Sequence, residues 1–235
     1  MAAIDEVSLK LAFLKINLLL TDPQIAAFST YADMLVEKNK VMNLTAVIDS
    51  EGIIIKHFVD SFLPLMKVEV PQNATLIDVG TGAGFPSIPM KIIREDLQLT
   101  LLDSLNKRVN FLREVSDALN LDATCIHSRA EDGARAGAPT VLRETFDVAT
   151  ARAVAKLSVL SEYCLPYVKV GGKFLALKGS DCGEEITQAE EIIDKLGGKV
   201  SQITEYNLPN GDARTLVVVD KLRTTPGKYP RRVVK

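Results

Sequence analysis

The chain has 235 residues, of which 47% are hydrophobic and 25% charged, and its net charge is −2. This composition is typical of one globular domain with a small extension, and it excludes a disordered chain or a generally basic nucleic-acid coat. Apolar runs are too short for a membrane span, and the widely spaced cysteines and histidines favour neither disulfides nor a metal site, so we expect a cytoplasmic protein with reduced thiols, no membrane contact and no metal.

The first part of the chain is predicted to be helical. Asp22 and Pro23 indicate a helix start, with a cap residue followed by a proline in the first turn, and Ile25 and Phe28 follow at helical spacing. A further helix is expected over residues 54–65. We therefore divide the chain into a helical extension (1–70), a main domain (71–220) and a C-terminal tail (221–235).

Strands and helices alternate in the main domain. Short apolar runs predict seven strands, at 74–79, 97–102, 123–127, 146–150, 173–177, 199–206 and 215–219. The main helices between them are expected at 88–93, 107–119, 157–168 and 184–196. This order predicts an α/β fold with a doubly wound, mostly parallel, seven-stranded Rossmann-like sheet of the methyltransferase type. Because no helix separates the last two strands, we expect one antiparallel strand at the edge of the sheet.

A glycine-rich stretch, DVGTGAGFP, follows the first predicted strand and leads into a helix. Glycines there let backbone N–H groups approach a ligand closely, and a helix start favours a negative group. A dinucleotide fingerprint needs Gly-x-Gly-x-x-Gly, but after Gly80 and Gly82 the third glycine, Gly84, comes one residue early. The spacing therefore disfavours a nicotinamide dehydrogenase.

Acidic residues follow the next two predicted strands. Asp103 closes the second strand, about 20 residues beyond the loop, where a carboxylate accepts hydrogen bonds from ribose hydroxyls. A cap for the next helix is the alternative role for Asp103. Ala130 and Glu131 follow the third strand, where a backbone N–H and a carboxylate can meet an adenine edge. Together with the loop, these residues predict a cradle for an adenosine-containing cofactor at the carboxyl ends of adjacent strands.

Basic residues near the same edge are candidates for holding phosphates. Lys107 and Arg108 begin the helix after Asp103, and Lys178 follows the fifth strand; a solvated surface charge is the alternative for each. After Asp220 there is no acidic residue, whereas the tail carries Lys221, Arg223, Lys228, Arg231, Arg232 and Lys235. Two interpretations of the tail stay open, a local phosphate contact and a solvated terminus.

Several short motifs extend from Asn43 to the tail. They are Asn43-Leu44-Thr45, His57 with Asp60-Ser61, and the runs DVGTGAGFPSIP, LLDSLNKRVNFL, SRAED, TARAVA and ALKG. With these motifs the chain resembles the glucose-inhibited division protein B family, bacterial methyltransferases that modify guanine N7 in small-subunit (16S) ribosomal RNA. The resemblance implies an S-adenosylmethionine-dependent enzyme of rRNA processing whose partner is ribosomal RNA.

The resemblance also implies a set of cofactor-pocket residues: Gly80, Phe85, Ala130, Glu131 and Arg152. The physical argument adds Gly82 and Asp103. Arg152 directly follows the fourth strand, where the target base is expected to enter, so it is also a candidate for binding the substrate. Since guanine N7 must stay free, we predict that Arg152 contacts guanine O6, a phosphate or the cofactor.

The expected chemistry needs few catalytic groups. Guanine N7 carries a lone pair and no proton, so its methylation requires positioning but no general base, and we assign no catalytic acid or base. Residues 150–153 lack the Asn/Asp-Pro-Pro-aromatic motif of exocyclic-amine methylation, and no cysteine follows a proline, as pyrimidine-carbon methylation usually requires. A small-molecule methyltransferase and a non-catalytic cofactor-binding regulator stay open as alternative functions.

Overall fold

One seven-stranded sheet organises the chain, in a computed structural model that describes residues 2–137, 142–152 and 155–231. Its strands are β1 (Thr75–Val79), β2 (Gln98–Asp103), β3 (Ala123–His127), β4 (Phe146–Arg152), β5 (Val168–Lys178), β6 (Gly198–Asn207) and β7 (Ala213–Lys221). They lie in the order β3-β2-β1-β4-β5-β7-β6. The predicted α/β fold is confirmed, although β5 begins at Val168 rather than at 173.

The last two strands pair differently from the prediction. β7 lies inside the sheet, between β5 and β6, and is antiparallel to both. The edge strand β6 therefore runs in the same direction as β5 and the remaining strands. The predicted antiparallel edge strand is therefore wrong in its position. Burial gives the reason, because the apolar run from Leu216 to Val219 is buried on both faces, whereas β6 alternates between half-buried and exposed residues as an edge strand does.

Helices cover both faces of the sheet. They are α1 (Glu6–Leu14), α2 (Asp22–Met42), α3 (Ser50–Gly52), α4 (Asp60–Phe62), α5 (Ser87–Ile93), α6 (Asn106–Ala118), α7 (Ala130–Gly133), α8 (Leu157–Cys164) and α9 (Gly183–Lys195). The predicted cap of α2, Asp22, is wrong by one residue. Thr21 caps the helix instead, because its hydroxyl accepts the N–H of Gln24 while the Gln24 side chain accepts the N–H of Thr21.

The helix expected over residues 54–65 is a composite. A π-helix, Ile53–Val59, joins α3 to α4, and a 3-10 turn, Leu63–Met66, follows. Three polar residues of this segment, His57, Asp60 and Ser61, are buried. A π-helical turn is wider than an α-helical turn and is frequent at functional sites, so the segment is a candidate for more than packing.

The helical extension packs against one face of the sheet. Phe28 of α2 stacks near Phe58 of the π-helix, with ring centroids 4.7 Å apart, and the same apolar core includes residues of α5 and α6. A second core on the opposite face joins α8 and α9 to β4, β5 and β7. The extension and one face of the sheet therefore share a continuous apolar core.

Three basic residues of the C-terminal tail are held by acids of the main domain. Lys221 is the last residue of β7, is fully buried, and has its Nζ 3.1 Å from the Glu144 carboxylate. Two further ion pairs follow in the chain, Arg223 with Asp194 and Arg231 with Glu162. These contacts brace the segment against the domain. The tail residues Arg232 and Lys235 lie outside the described residues.

The described residues contain no helix long and apolar enough to cross a membrane. Within the same part of the chain, no group of three or more His, Cys, Asp or Glu side chains comes together as a metal site would require. The three cysteines are free thiols, and Cys164 and Cys182 are buried.

Candidate functional site

The glycine-rich loop between β1 and α5 lies at the carboxyl edge of the sheet. Gly80, Gly82 and Gly84 have φ angles of 74°, 64° and 107°, a region that glycine adopts without strain. The Gly82 N–H donates to Asp103 Oδ2 at 3.0 Å, which ties the loop to the end of β2. A Cβ at Gly82 would meet no described atom within 4 Å. The loop therefore presents bare backbone to open space, as a ligand-binding loop must.

A cavity of about 310 Å³ adjoins this loop. Its walls are formed by Val79, Gly80, Leu102, Ser104, Ser128, Arg129, Ala130, Glu131 and Tyr163. Three predicted cofactor residues, Gly80, Ala130 and Glu131, thus surround one cavity. The Tyr167 hydroxyl donates to the Ala130 carbonyl at 2.7 Å and fixes that wall. We use the word cleft for the surroundings of the glycine-rich loop, and we call this cavity, with the neighbouring Gly82 and Asp103, the open end of the cleft.

Asp103 connects the loop to the start of α6. Its side chain is 2% exposed, and besides the Gly82 N–H it accepts the Leu105 N–H at 2.9 Å. The Arg108 guanidinium lies 3.5 Å from the same carboxylate. An ionised carboxylate offers about four acceptor positions, so Asp103 has capacity for ribose hydroxyls while it holds the loop. Its role in ribose binding stays a prediction.

Asp78 lies fully buried beneath the loop. Its Oδ2 accepts the Thr81 hydroxyl at 2.8 Å. Burial raises the pKa of Asp78 to about 7, and hydrogen bonds from Thr81 and Ser87 oppose that shift. A buried carboxyl with a strongly shifted pKa, directly beneath the loop, is typical of a functional site.

At the other end of the cleft, the loop packs against the helical extension. The Phe85 ring stacks on His57 with centroids 4.4 Å apart, and the Arg152 guanidinium lies 5.0 Å from the Phe85 centroid. Arg152 Nη1 donates to the Lys56 carbonyl at 3.1 Å and to Ser61 Oγ at 3.3 Å. We call this region the packed end of the cleft; it comprises Tyr31, His57, Asp60, Ser61, Phe85 and Arg152.

The donors and acceptors around His57 define its tautomer. Arg152 Nη2 lies 3.5 Å from His57 Nδ1, and because a guanidinium only donates, Nδ1 is the acceptor. Nε2 therefore carries the proton and donates to Thr45 Oγ1 at 2.9 Å. Burial, with a smaller effect of Arg152, lowers the pKa of His57 to about 4, so the ring is neutral at neutral pH. Thr45 and His57 together orient Arg152.

Asp60 links the packed end to two strands. Its Oδ2 accepts Arg214 Nε at 3.0 Å and lies 3.7 Å from Arg152 Nη1. Burial raises the pKa of Asp60, and both guanidiniums oppose that shift. Because Arg152 belongs to β4 and Arg214 to β7, one buried carboxylate ties the extension to two strands of the sheet.

The predicted phosphate-binding residues differ in availability. Lys107 is exposed at the start of α6, and the Arg108 side chain is 35% exposed beside Asp103. The Lys178 side chain is only 12% exposed, and its Nζ donates to Glu185 at 2.7 Å. A phosphate contact by Lys178 would require that ion pair to open.

Sequence reasoning assigned no role to four residues at or beside the packed end: Tyr31, His57, Asp60 and Arg214. His57 and Asp60 had a signal, since both belong to the quoted motifs. Tyr31 and Arg214 had none, because their partners lie 52 and 154 positions away in the chain. The contacts between these distant residues join the extension to the sheet.

Fold and site together define a class of protein. The strand order, the glycine loop after β1, the acid ending β2 and the cavity at β3 are the combination found in S-adenosylmethionine-dependent methyltransferases, and the chain is one of them. Within this class it belongs to the GidB family, rRNA small subunit methyltransferase G, whose family model matches residues 24–216. The resemblance noted in the sequence is thereby confirmed.

Relatives named "Ribosomal RNA small subunit methyltransferase G" match most of the chain. The relative from Clostridium perfringens (strain 13) is 51% identical over 207 residues, which cover 87% of this chain and 85% of the relative. The relative from Lactobacillus johnsonii is 51% identical over 219 residues, covering 91% and 90%. The relative from Desulforamulus reducens is 48% identical over 228 residues, covering 96% and 94%.

Solved structures share the fold at low sequence identity. A methyltransferase from Pyrococcus furiosus matches with a TM-score of 0.56 and 16% identity, over 81% of this chain and 95% of that one. TYW2 from M. jannaschii, solved in complex with AdoMet, matches with a TM-score of 0.54 and 14% identity, over 74% and 77%. These likenesses support the methyltransferase fold.

Proposed function

We propose that this protein transfers the methyl group of S-adenosylmethionine to N7 of a guanine in small-subunit (16S) ribosomal RNA. The observation that carries the proposal is the open end of the cleft, where Gly80, Ala130 and Glu131 line a cavity of about 310 Å³. Beside it lie the bare backbone of Gly82 and the Asp103 carboxylate that holds it. Membership of the rRNA small subunit methyltransferase G family supports RNA as the substrate.

The residues of the open end suit an adenosine-containing methyl donor. Asp103 would accept the ribose hydroxyls with the acceptor positions that its two backbone partners leave free. Ala130 and Glu131 would meet the adenine edge, and Gly82 would let the loop backbone approach closely.

The proposed chemistry asks the protein for position rather than for proton transfer. When bound, S-adenosylmethionine supplies an electrophilic methyl group on a sulfonium centre. Guanine N7 has a lone pair and no proton, so no residue has to act as a base. Arg152 is positively charged and would be repelled by a sulfonium, so we assign its guanidinium to the cofactor carboxylate or to the RNA.

Exposed cations near the cleft supply a surface for RNA. Lys107 is exposed. The side chains of Lys56 and Arg129 are 44% and 50% exposed, although Lys56 lies 3.3 Å from Asp212 and Arg129 lies 3.6 Å from Glu131. Contacts from such side chains to phosphates position a nucleic acid without reading its sequence. We place the protein in the cytoplasm because its proposed substrate is part of the ribosome.

The proposal is tested by mixing the purified protein with methyl-labelled S-adenosylmethionine and small ribosomal subunits that lack the modification. Nucleoside analysis is expected to find the label in 7-methylguanosine of the 16S RNA. Label in another nucleoside would contradict the N7 assignment. Label only in a small molecule would favour the small-molecule methyltransferase, and intact cofactor binding without any transfer would favour a regulator.

A pair of variants tests the cofactor site separately. Asp103→Ala removes a charged acceptor worth about 1.5–3 kcal/mol, so calorimetry should show cofactor binding weakened roughly 10- to 100-fold. Asp122→Ala removes an exposed acid just before β3 and should leave the affinity unchanged. Unchanged affinity in Asp103→Ala would reduce Asp103 to a local cap.

A further inference from the structure

Tyr31 of α2 reaches the glycine loop from the helical extension. Its side chain is fully buried, and its hydroxyl donates to the carbonyl of Ala83 at 2.6 Å. The Tyr31 ring packs against Phe58 and Phe85, with centroid distances of 5.7 Å and 5.3 Å. The ring is thus held in place independently of its hydroxyl, which leaves the hydroxyl free to act on the loop.

The hydrogen bond falls at the turn of the loop. Ala83 lies between Gly82 and Gly84, whose φ angles of 64° and 107° are both positive. A Cβ at Gly84 would come within 2.8 Å of the Tyr31 hydroxyl oxygen, so the loop backbone lies directly against that oxygen. Holding the Ala83 carbonyl toward the extension orients the adjoining peptide groups of the loop.

The loop therefore has two anchors on different sides. On the side of the sheet, Asp103 accepts the Gly82 N–H at 3.0 Å. On the side of the extension, Tyr31 donates to the Ala83 carbonyl. Under the proposed function, Asp103 is shared with the cofactor ribose, whereas the buried Tyr31 is committed to the loop alone. The second anchor is therefore the one that the cofactor does not share.

We propose that Tyr31 is a positioning residue for the cofactor: its hydroxyl holds the glycine loop in the conformation that accepts S-adenosylmethionine. The inference rests on the proposed function, because it takes the loop at Gly82 as the cofactor site. It also gives the helical extension a part in cofactor binding in addition to its part in the apolar core.

The test is Tyr31→Phe, which keeps the ring and removes the hydroxyl. Because the variant loses one neutral hydrogen bond that orders the loop, we expect cofactor binding to be weakened about 3- to 10-fold. The KM for S-adenosylmethionine should rise by the same factor, while kcat and the KM for RNA stay within about twofold. Hydrogen exchange should become faster in peptides covering residues 80–86. Binding is measured by calorimetry at 10 °C, so that the comparison holds even if Tm falls.

The matched control is Ser116→Ala. The Ser116 hydroxyl is buried and donates to the Leu112 carbonyl within α6 at 2.8 Å, so its loss removes a similar bond without touching the loop. We expect this control to lower Tm and to leave cofactor affinity unchanged. If Tyr31→Phe behaves in the same way, Tyr31 is only structural and the inference is wrong. If the wild-type protein binds no cofactor, the proposed function itself fails.

Discussion

The open end and the packed end of the cleft differ in how their polar groups are partnered. At the open end, Asp103 keeps the acceptor positions that its two backbone partners leave free, and a Cβ at Gly82 would meet no described atom within 4 Å. At the packed end, Arg152 and His57 already bond to groups of the protein. The main domain builds the first region, whereas the second joins that domain to the extension. Substitutions at the open end should therefore change ligand affinity without changing stability, whereas substitutions at the packed end should change both.

The largest effect is expected from Asp60→Ala at the packed end. This change leaves the Arg152 and Arg214 side chains, which are 16% and 21% exposed, without their shared carboxylate. Breaking a buried ion pair in this way costs about 3–5 kcal/mol, which urea unfolding would measure. The control Asp212→Ala removes a carboxylate that is 39% exposed, and solvent screening should make its loss much smaller than that of Asp60. A loss in Asp60→Ala as small as that in the control would show that the packed end is not coupled to folding.

Arg152→Lys should give the next largest effect, in activity rather than stability. Lysine keeps the charge beside Asp60 but loses the planar fork that contacts Lys56, Ser61 and His57. Misalignment of an in-line attack predicts a roughly 100-fold loss of methyl transfer in single-turnover assays. The control is Arg113→Lys on α6, an exposed arginine distant in sequence from the motifs of the packed end. A large fall in Tm with transfer intact would assign Arg152 to structure alone.

The pH dependence of stability sharpens the comparison further. The pKa of His57 is about 4 in the folded protein, against 6.5 for an unperturbed imidazole, which stands for the unfolded chain. Between these two pH values the unfolded chain therefore binds more protons than the folded protein. Stability should therefore fall as the pH is lowered, by about 2 kcal/mol from this group between pH 7 and pH 5.

His57→Phe keeps an aromatic ring against Phe85 and removes this dependence. Asp78 has the opposite sign, since its raised pKa of about 7 makes its contribution fall as the pH rises from 4 to 7. Because Asp78 is present in both proteins, the difference between their urea-unfolding curves isolates His57. Parallel pH profiles for the two proteins would contradict the assignment of a neutral, buried imidazole.

The smallest effect is expected at the rim of the open end. Lys107→Ala should remove one phosphate contact and reduce the salt slope of RNA binding by about 0.7–0.9. Lys178→Ala should leave the slope unchanged, because that lysine is paired with Glu185 and largely buried. Filter binding over a range of salt concentrations measures both slopes. The reverse result would mean that the Lys178–Glu185 pair opens for RNA.

The sequence predicted the open end better than the packed end. The glycine loop, Asp103 and Glu131 each follow a strand whose apolar run is a local pattern, so their meeting at one edge follows from the parallel sheet. The packed end depends on contacts between residues that are far apart in the chain, such as His57 and Arg152, 95 positions apart. Motif membership singled out His57 but carried no information about its partner.

The position of β7 was missed although a signal was present. An uninterrupted apolar run from Leu216 to Val219 is typical of a strand covered on both faces, and the alternating pattern of β6 is typical of an edge. Reading the two patterns together would have placed β7 inside the sheet. β7 pairs with the edge of β5 that β4 leaves open. That edge exists only in the assembled sheet, so no local sequence pattern contains it.

The bond between Tyr31 and Ala83 also bears on how the protein emerges during synthesis. Its two ends are 52 positions apart. At roughly 5–20 residues per second, about 3–10 seconds pass between the translation of the hydroxyl and that of its acceptor. Throughout that interval the aromatic side chains of α2, including Phe28, have no sheet to cover them. The apolar face of the newly made N-terminal helices therefore stays uncovered by the sheet until the first strand and its loop have been made.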